Sequence, residues 1–453
     1  MSATTVAGRS RIRLADDLDL LTRQEVEGLA TSNLKTAVEA ALAVPSLAHR
    51  WPELAAVRRP SDLAHLVPLS PEELAERCPP HFTGFRFDDA RSGMVLRSSG
   101  TSGRQKVLYH SWEFTEQMYR LGARGVRAAL MTPPSRMANC LMPGELNGSF
   151  TFAHEIARLL PALTFPLGGS VEPVETAEIM AEHGVDTLVS TPHAATRLVT
   201  GVPPGALPAL RNLLYIGESF GAAKRGAVLH QHPGLVVRSL AYSTSELGPI
   251  GYQCPHCDAA SHHVHEDAVL VEVLDDVTGA PAPEGTEGEL VVTPFSDTGM
   301  ALFRYRIGDR GYLSGRGCPC GSQTVRLTLT GRVTHSVTVD TTTVSGDLLM
   351  ALLGPLGLTD AGRCQLQIRW SGQRYGLRLL LDRVLPVELT GETLTDALRR
   401  GYQFRRILDG ASCSGLEVRR VDPAQFTATP RGKVPLLMEL HADSGPAGQD
   451  ARG

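Results

Sequence analysis

Leu96-Arg97-Ser98-Ser99-Gly100-Thr101-Ser102-Gly103-Arg104-Gln105-Lys106 follows the apolar run Gly93-Met94-Val95-Leu96 and sets hydroxyls, two glycines and a terminal lysine into one short loop. Phosphate is the ligand such a loop suits. Glycines at 100 and 103 let backbone N–H groups approach and point inward. The hydroxyls of Ser98, Ser99, Thr101 and Ser102 add neutral donors, and Lys106 supplies a point charge. The spacing is not that of the Walker loop, which has four residues between its glycines and a Ser or Thr directly after the lysine. Read alone, the same composition also describes an ordinary solvated turn.

On both sides of this loop the chain alternates short apolar runs with helical patterns. Between Asp16 and Leu54 the apolar positions recur at helical spacing, which predicts two helices. Ser61 to Leu74 carries a capping Ser or Asp, a short helix, a proline break and a second cap before Pro71-Glu72-Glu73. Ser111 to Leu130 reads as a helix. Strands are expected at 137–142, 162–166, 187–190, 213–216 and 236–240, with helices at 155–160, 176–183, 194–199 and 222–230, the rhythm of parallel α/β layers. Ligands of such sheets sit beyond the carboxyl ends of strands, where Gly217-Glu218 and Tyr242 to Glu246 fall. From about Leu270 to Leu329 the pattern turns to strands joined by turns. Beyond Gly331-Arg332 come strands at 365–370, 377–382 and 416–421 and a helix at 394–407. The expected fold class is therefore α/β. A large N-terminal domain (1–330) of layered α/β subdomains includes a β-rich subdomain at about 250–330, a small α+β domain follows (331–442), and a Gly/Ala/Asp-rich tail (443–453) is expected to be disordered.

The chain has 453 residues, enough for at least two cores. Its 44 Lys and Arg stand against 48 Asp and Glu, a net charge of −4 that gives no electrostatic footprint for nucleic acid or an anionic membrane. No apolar run reaches the length of a membrane span, and Met1 to Arg9 lacks a signal-peptide core, so a cytoplasmic protein acting on small molecules is expected. Nothing in the composition speaks to oligomeric state.

Four further stretches follow the loop in order: Tyr242-Ser243-Thr244-Ser245-Glu246, Arg304-Tyr305-Arg306-Ile307-Gly308-Asp309, Gly331-Arg332 and Arg431-Gly432-Lys433. Together they resemble the ordered signatures of the adenylate-forming superfamily, and the segment Ser61 to Leu74 resembles one in its phenylacetate-CoA ligase branch. The resemblance implies an ATP-dependent, Mg²⁺-requiring ligase that activates a small aromatic or related carboxylic acid as its acyl-adenylate, with CoA as the default acceptor. The alternative is delivery to an amine, a carrier-protein thiol or another nucleophile, or adenylylation of a non-carboxylate oxygen. By the same resemblance Ser98, Ser99, Gly100, Thr101, Ser102, Gly103 and Lys106 would hold the leaving phosphates, and Glu246 the Mg²⁺. Asp309 would accept from the ribose hydroxyls. Gly217, Glu218 and Tyr242 would flank the adenine, with Ser243, Ser245 and Arg332 also at the nucleotide. Lys433 would reach in from a small mobile domain to bridge carboxylate and α-phosphate.

A second constellation is Cys254-Pro255-His256-Cys257, His262-His263-Val264-His265 and Cys318-Pro319-Cys320. Paired cysteines with nearby histidines have the softness and spacing of a tetrahedral zinc site, and in a reducing compartment metal is favoured over a disulfide. The ligase branch carries a similar structural site, and the resemblance maps it onto Cys254, His263, Cys318 and Cys320. Cys257 competes with His263 for a place. The chain departs from the superfamily after Arg332, where Thr334 and His335 stand at an Asp pair and Thr341 at a glycine. A β-branched residue there crowds a thiol tunnel, which bears on CoA transfer more than on adenylation.

Overall fold

The structure, a computed structural model, describes residues 12–80, 84–87, 92–98, 106–144, 146–169, 172–275, 278–315, 317–332, 336–339, 342–371, 374–385, 389–429 and 434–441. The tail expected to be disordered (443–453) lies outside them. The chain forms two compact units, the larger ending at Arg332 and the smaller built mainly from the residues beyond it.

In the larger unit the N-terminal helix α1 (Arg23–Leu42) starts at a capping box. The Thr22 hydroxyl accepts from the Glu25 N–H and the Glu25 carboxylate accepts from the Thr22 N–H. The cap places Leu20 and Leu21 outside the helix, and Leu20 is exposed. The two helices expected between Asp16 and Leu54 are thus one continuous α1 up to Leu42, followed by a short α2 (Pro45–Arg50) and a 3₁₀ turn at Pro52–Ala56. Ser70 caps α3 (Pro71–Glu76) by accepting the Glu73 N–H at 3.0 Å.

Strands β1 (Gly93–Arg97) and β2 (Val107–Ser111) pair antiparallel and flank the glycine loop, and Ser111 caps α4 (Trp112–Ala129). Next comes a parallel sheet of β3 (Arg136–Asn139), β4 (Leu163–Phe165), β5 (Thr187–Ser190), β6 (Asn212–Tyr215) and β7 (Val236–Ser239), in the order β4-β3-β5-β6-β7. Along the chain α5 (Ser149–Leu159), α6 (Pro173–Glu182), α7 (Pro192–Thr200) and α8 (Ala222–Gln231) alternate with these strands. Period-2 alternation sends successive residues to opposite faces. Leu188 and Leu213 join a core with α6 and α7, whereas Val189 and Leu214 join one with α4 and α5. Both faces are covered, which is why these strands read as continuous apolar runs.

The second sheet begins earlier than the β-rich region expected from Leu270. Its seven strands are β8 (Tyr242–Thr244), β9 (Gly248–Tyr252), β10 (Ser261–Val264), β11 (Val269–Leu274), β12 (Gly288–Pro294), β13 (Tyr305–Ser314) and β14 (Arg326–Arg332), in the order β11-β12-β13-β14-β10-β9-β8. Tyr242 to Thr244 is thus an edge strand of an antiparallel sheet as well as the sequel to β7. Its short, polar sequence hides this from periodicity.

The segment ahead of the loop docks on this sheet. Trp51 is fully buried between Phe85 and Phe303, its centroid 5.9 and 5.4 Å from theirs. Arg304, at φ +48°, turns its guanidinium inward to pair with Glu272 at 2.9 Å and to donate to the carbonyls of Ala64 (3.0 Å) and Leu66 (2.6 Å). Burial still outweighs the arginine and raises the Glu272 carboxyl above its ordinary range.

In the smaller unit β15 (Ser336–Val339) pairs with β16 (Thr342–Ser345), and helix α9 (Gly346–Leu353) follows. A mixed sheet takes the order β19-β18-β17-β20, from β17 (Cys364–Ser371), β18 (Arg374–Asp382), β19 (Cys413–Val421) and β20 (Leu437–His441). The single helix expected at 394–407 is two, α10 (Gly391–Arg399) and α11 (Tyr402–Leu408). The break falls at Gly401, where a Cβ would lie 2.7 Å from a Leu352 methyl.

Replacing Arg304 with Met leaves the buried Glu272 carboxylate without its cation. Guanidinium unfolding of Arg304→Met is expected to show a loss of about 3–5 kcal/mol; a loss below about 1 kcal/mol, the range of exposed pairs, would count against the clamp.

Candidate active site and metal centre

The two ends of the glycine loop are stapled together. Ser98 donates its N–H to the Lys106 carbonyl at 2.9 Å, and its hydroxyl accepts the Lys106 N–H at 2.9 Å. Ser99, Gly100, Thr101, Ser102 and Gly103 lie outside the described residues. Lys106 turns its ammonium inward, 3.1 Å from the Glu246 carboxylate, and both side chains are buried. Two residues from distant parts of the chain thus form one buried ion pair between the hairpin and the turn after β8.

Neighbouring groups fix that pair. The Tyr305 hydroxyl donates to Glu246 at 3.2 Å. His110, on β2, lies 2.9 Å through Nε2 from the carbonyl of Ser245 and stacks on Phe114 at 4.9 Å. A carbonyl only accepts, so Nε2 carries a proton. Burial pushes the His110 imidazolium down to about 4, against the weaker pull of the Ser245 carbonyl and Glu246. His110 is a residue that sequence reasoning missed. Its only signal is its place four residues after Lys106 on a strand whose alternate positions are buried.

On another part of the sheet the Tyr242 hydroxyl donates to Asp309 at 2.7 Å. Asp309 is the register partner of Arg332, and Ser243 that of Pro249; nothing is described of the Arg332 side chain. Gly217, at φ +98°, and Glu218 leave the carboxyl end of β6, as expected. The neighbouring parallel strand β7 ends at Ser239 and leads directly into Tyr242. Arg306 pairs with Glu289. Lys433 lies outside the described residues. Gln365 on β17 ties down both flanks of its segment, donating to the carbonyls of Thr427 (2.8 Å) and Pro435 (3.0 Å) and accepting the Thr427 N–H at 2.9 Å.

The second constellation comes together as a donor set. The ligand atoms of Cys254, His263, Cys318 and Cys320 all lie within 4.8 Å of one another. Cys254 follows β9, His263 lies on β10, and Cys318 and Cys320 sit in the connection from β13 to β14. His263 Nε2 is 3.4 Å from the Cys320 sulfur, while Nδ1 meets the Thr324 hydroxyl at 3.0 Å. With Nδ1 donating to that hydroxyl, Nε2 is free to bind a metal. Three thiols and one imidazole fit a closed tetrahedral Zn²⁺ site. Cys257 lies beside this set, 3.6 Å from Cys254.

The fold is that of the acyl-CoA ligases of the adenylate-forming superfamily. The chain is similar to 2-hydroxyisobutyryl-CoA ligase in the postadenylation state with 2-HIB-AMP, at a TM-score of 0.68 and 18% identity, over 92% of this chain and 90% of that one. It is also similar to ATP-bound MatB from Rhodopseudomonas palustris, at a TM-score of 0.51 and 15% identity, over 75% of this chain and 66% of that one. Its curated sequence relatives are phenylacetate-coenzyme A ligases. Identity is 30% over 241 residues to that of Thermus thermophilus (51% of this chain, 53% of the relative), and 22% over 307 residues to that of Escherichia coli (65% and 68%). The match therefore spans about half the length of the Thermus relative. No family model matches the chain. No helix among the described residues is long and apolar enough to cross a membrane.

The neutral burial of His110 has a pH signature. The unfolded ring takes a proton near 6.5 and the folded ring near 4, so the unfolded chain binds more protons in between. Stability therefore falls as pH drops through that window, by about 3 kcal/mol in all from this residue. Urea unfolding at pH 7, 5 and 4 is expected to show a shallower loss in His110→Gln than in the wild type; parallel curves would contradict the assignment.

Proposed function

We propose that the chain is an ATP-dependent, AMP-forming ligase that activates a small aromatic or related carboxylic acid as its acyl-adenylate, with release of pyrophosphate and CoA as the default acceptor. The observation that carries the reading is the buried Lys106–Glu246 pair at the base of the glycine loop. It puts a cation for polyphosphate beside a carboxylate for a divalent metal, in a chain whose sequence relatives are phenylacetate-coenzyme A ligases.

The substrate carboxylate, already ionised at neutral pH, attacks the α-phosphorus, and the bond to the bridging oxygen of pyrophosphate breaks. No general base is needed. The protein's work is positioning and neutralising charge. Glu246 would hold Mg²⁺, which would supply charge neutralisation on the triphosphate. Lys106 would hold the leaving phosphates, with Ser98, Ser99, Thr101, Ser102 and the backbone of Gly100 and Gly103. Asp309, an acceptor-only group, takes both ribose hydroxyls. Gly217, Glu218 and Tyr242 flank the adenine. Lys433, on a mobile small domain (331–442), bridges carboxylate and α-phosphate. Cys254, His263, Cys318 and Cys320 would hold a structural Zn²⁺, four protein ligands leaving no place for substrate. The protein is taken to work in the cytoplasm.

Pyrophosphate release with Mg²⁺-ATP across a panel of aryl and short-chain acids, each with and without CoA, tests the reading. Release that depends on one acid, a thioester formed only with CoA, and a drop of at least about 100-fold in Lys433→Ala, the scale for loss of one transition-state contact, are expected. Acid-dependent release without thioester would move the acceptor to an amine or a carrier protein, in keeping with Thr334, His335 and Thr341. Release with no acid of the panel would remove the carboxylate-activating reading.

Elemental analysis is expected to find one zinc per chain, retained in Cys257→Ala and lost in His263→Ala together with several degrees of melting temperature. The reverse pattern would put Cys257 in the ligand set.

A further inference from the structure

Tyr242 and Asp309 sit far apart in the order of the sheet. Between β8 and β13 lie β9, β10 and β14, and neighbouring strands are about 4.8 Å apart, so a flat sheet would separate the two residues by roughly 19 Å. Their side chains nevertheless meet at 2.7 Å. The sheet curls to bring them together, and the donor set of the metal centre gathers the same strands: Cys254 after β9, His263 on β10, Cys318 and Cys320 between β13 and β14.

Strand β10 has two working faces. His263 points to the thiols, and Tyr252, its register partner on β9, stacks on it at 5.5 Å. The preceding residue, His262, points to the opposite face, where its buried ring packs on the ring of Tyr242 at 5.5 Å. Between the two rings runs β9, with Gly251 opposite both Tyr242 and Val264. A Cβ at 251 would lie 3.0 Å from the His262 Cβ and 2.8 Å from the His263 carbonyl oxygen, so the bare glycine is what lets the rings meet over the strand. His262 Nδ1 is anchored to the Ala260 carbonyl at 3.2 Å.

We infer that His262 is a positioning residue for the nucleotide: its ring props Tyr242 so that the phenol holds Asp309 in place for the ribose hydroxyls, and β10, fixed one residue away by the metal ligand His263, makes that prop depend on the metal centre. The inference rests on the nucleotide site proposed above. It gives His262, which the motifs place only beside the metal ligands, a role at the nucleotide and couples the two sites. His262 itself touches neither substrate nor metal in this arrangement; it acts through Tyr242.

The test is calorimetric binding of AMP and of 2′,3′-dideoxy-AMP, which lacks both hydroxyls, and needs no turnover and no Mg²⁺. Wild-type protein, His262→Ala, His262→Phe and wild type stripped of zinc with an organomercurial are compared, with zinc content and melting temperature measured for each. Wild type is expected to prefer AMP by tenfold or more. His262→Ala should keep its zinc and bind AMP about tenfold more weakly, with most of the preference over the dideoxy analogue gone. His262→Phe, which keeps a flat ring, should retain the preference, and the stripped protein should lose it. A zinc-loaded, folded His262→Ala that keeps the wild-type preference overturns the role of His262, and a stripped protein that keeps it overturns the coupling. Wild type that binds both nucleotides equally would refute the ribose role of Asp309 and this inference with it. Wild type that binds neither would remove the nucleotide site as a whole.

Discussion

A lysine and a glutamate taken almost entirely out of water are tolerable only together. Desolvating either charge alone costs several kcal/mol, and at 3.1 Å the Lys106–Glu246 attraction offsets much of that cost. The constraint organises its surroundings. Lys106 ends the glycine loop and opens β2, while Glu246 sits in the turn between β8 and β9. The pair therefore fixes the hairpin against the antiparallel sheet. Tyr305 adds a hydrogen bond to the carboxylate, and His110 holds the adjoining Ser245 carbonyl with a ring that burial keeps neutral. For the proposed reaction this has a simple electrostatic consequence. A metal-bound polyphosphate brings one cation and one anion to a place that already holds one of each, so partners exchange without leaving a bare buried charge.

The curled sheet answers a different requirement. The phenol that holds Asp309, the residue proposed to take the ribose hydroxyls, comes from four strands away in the sheet order. Hydrogen bonds between strands set neighbour distances but leave curvature soft; side-chain links across the curl set it. The Cys254, His263, Cys318 and Cys320 cluster is one such link, and the contact of Tyr242 with Asp309 is another. Arg304 supplies a third constraint, joining Glu272 to the carbonyls of Ala64 and Leu66 and so seating the segment ahead of the loop beside the strand that carries Asp309.

Within the smaller unit the same logic appears with neutral groups. Gln365 is fully buried, and its amide is satisfied by Thr427 and Pro435, which bracket the Arg431-Gly432-Lys433 stretch. A buried amide with all of its partners met is a rigid fixture, whereas an unmet one is costly. The segments on either side of that stretch are thus tied to the core of their own unit.

Local chemistry made much of this architecture legible. The caps at Ser70 and Ser111, the alternation of apolar runs with helical patterns from β3 to β7, and the cysteine and histidine pairs are written in stretches a few residues long, because capping, periodicity and ligand softness act at that range. The sequence by itself determined the α/β class, the order of the motifs and the cysteine and histidine pairs that supply a donor set. Only the tertiary structure decided that Lys106 meets Glu246, that β8 is an edge strand of the curled sheet, that His110 and His262 are buried beside the site, that His263 rather than Cys257 sits within the four-donor set, and that a helix breaks at Gly401, where Leu352 leaves no room for a side chain. Each of these depends on contacts between residues far apart in the chain, or on the room a neighbour leaves, and neither leaves a periodic trace in the residues concerned.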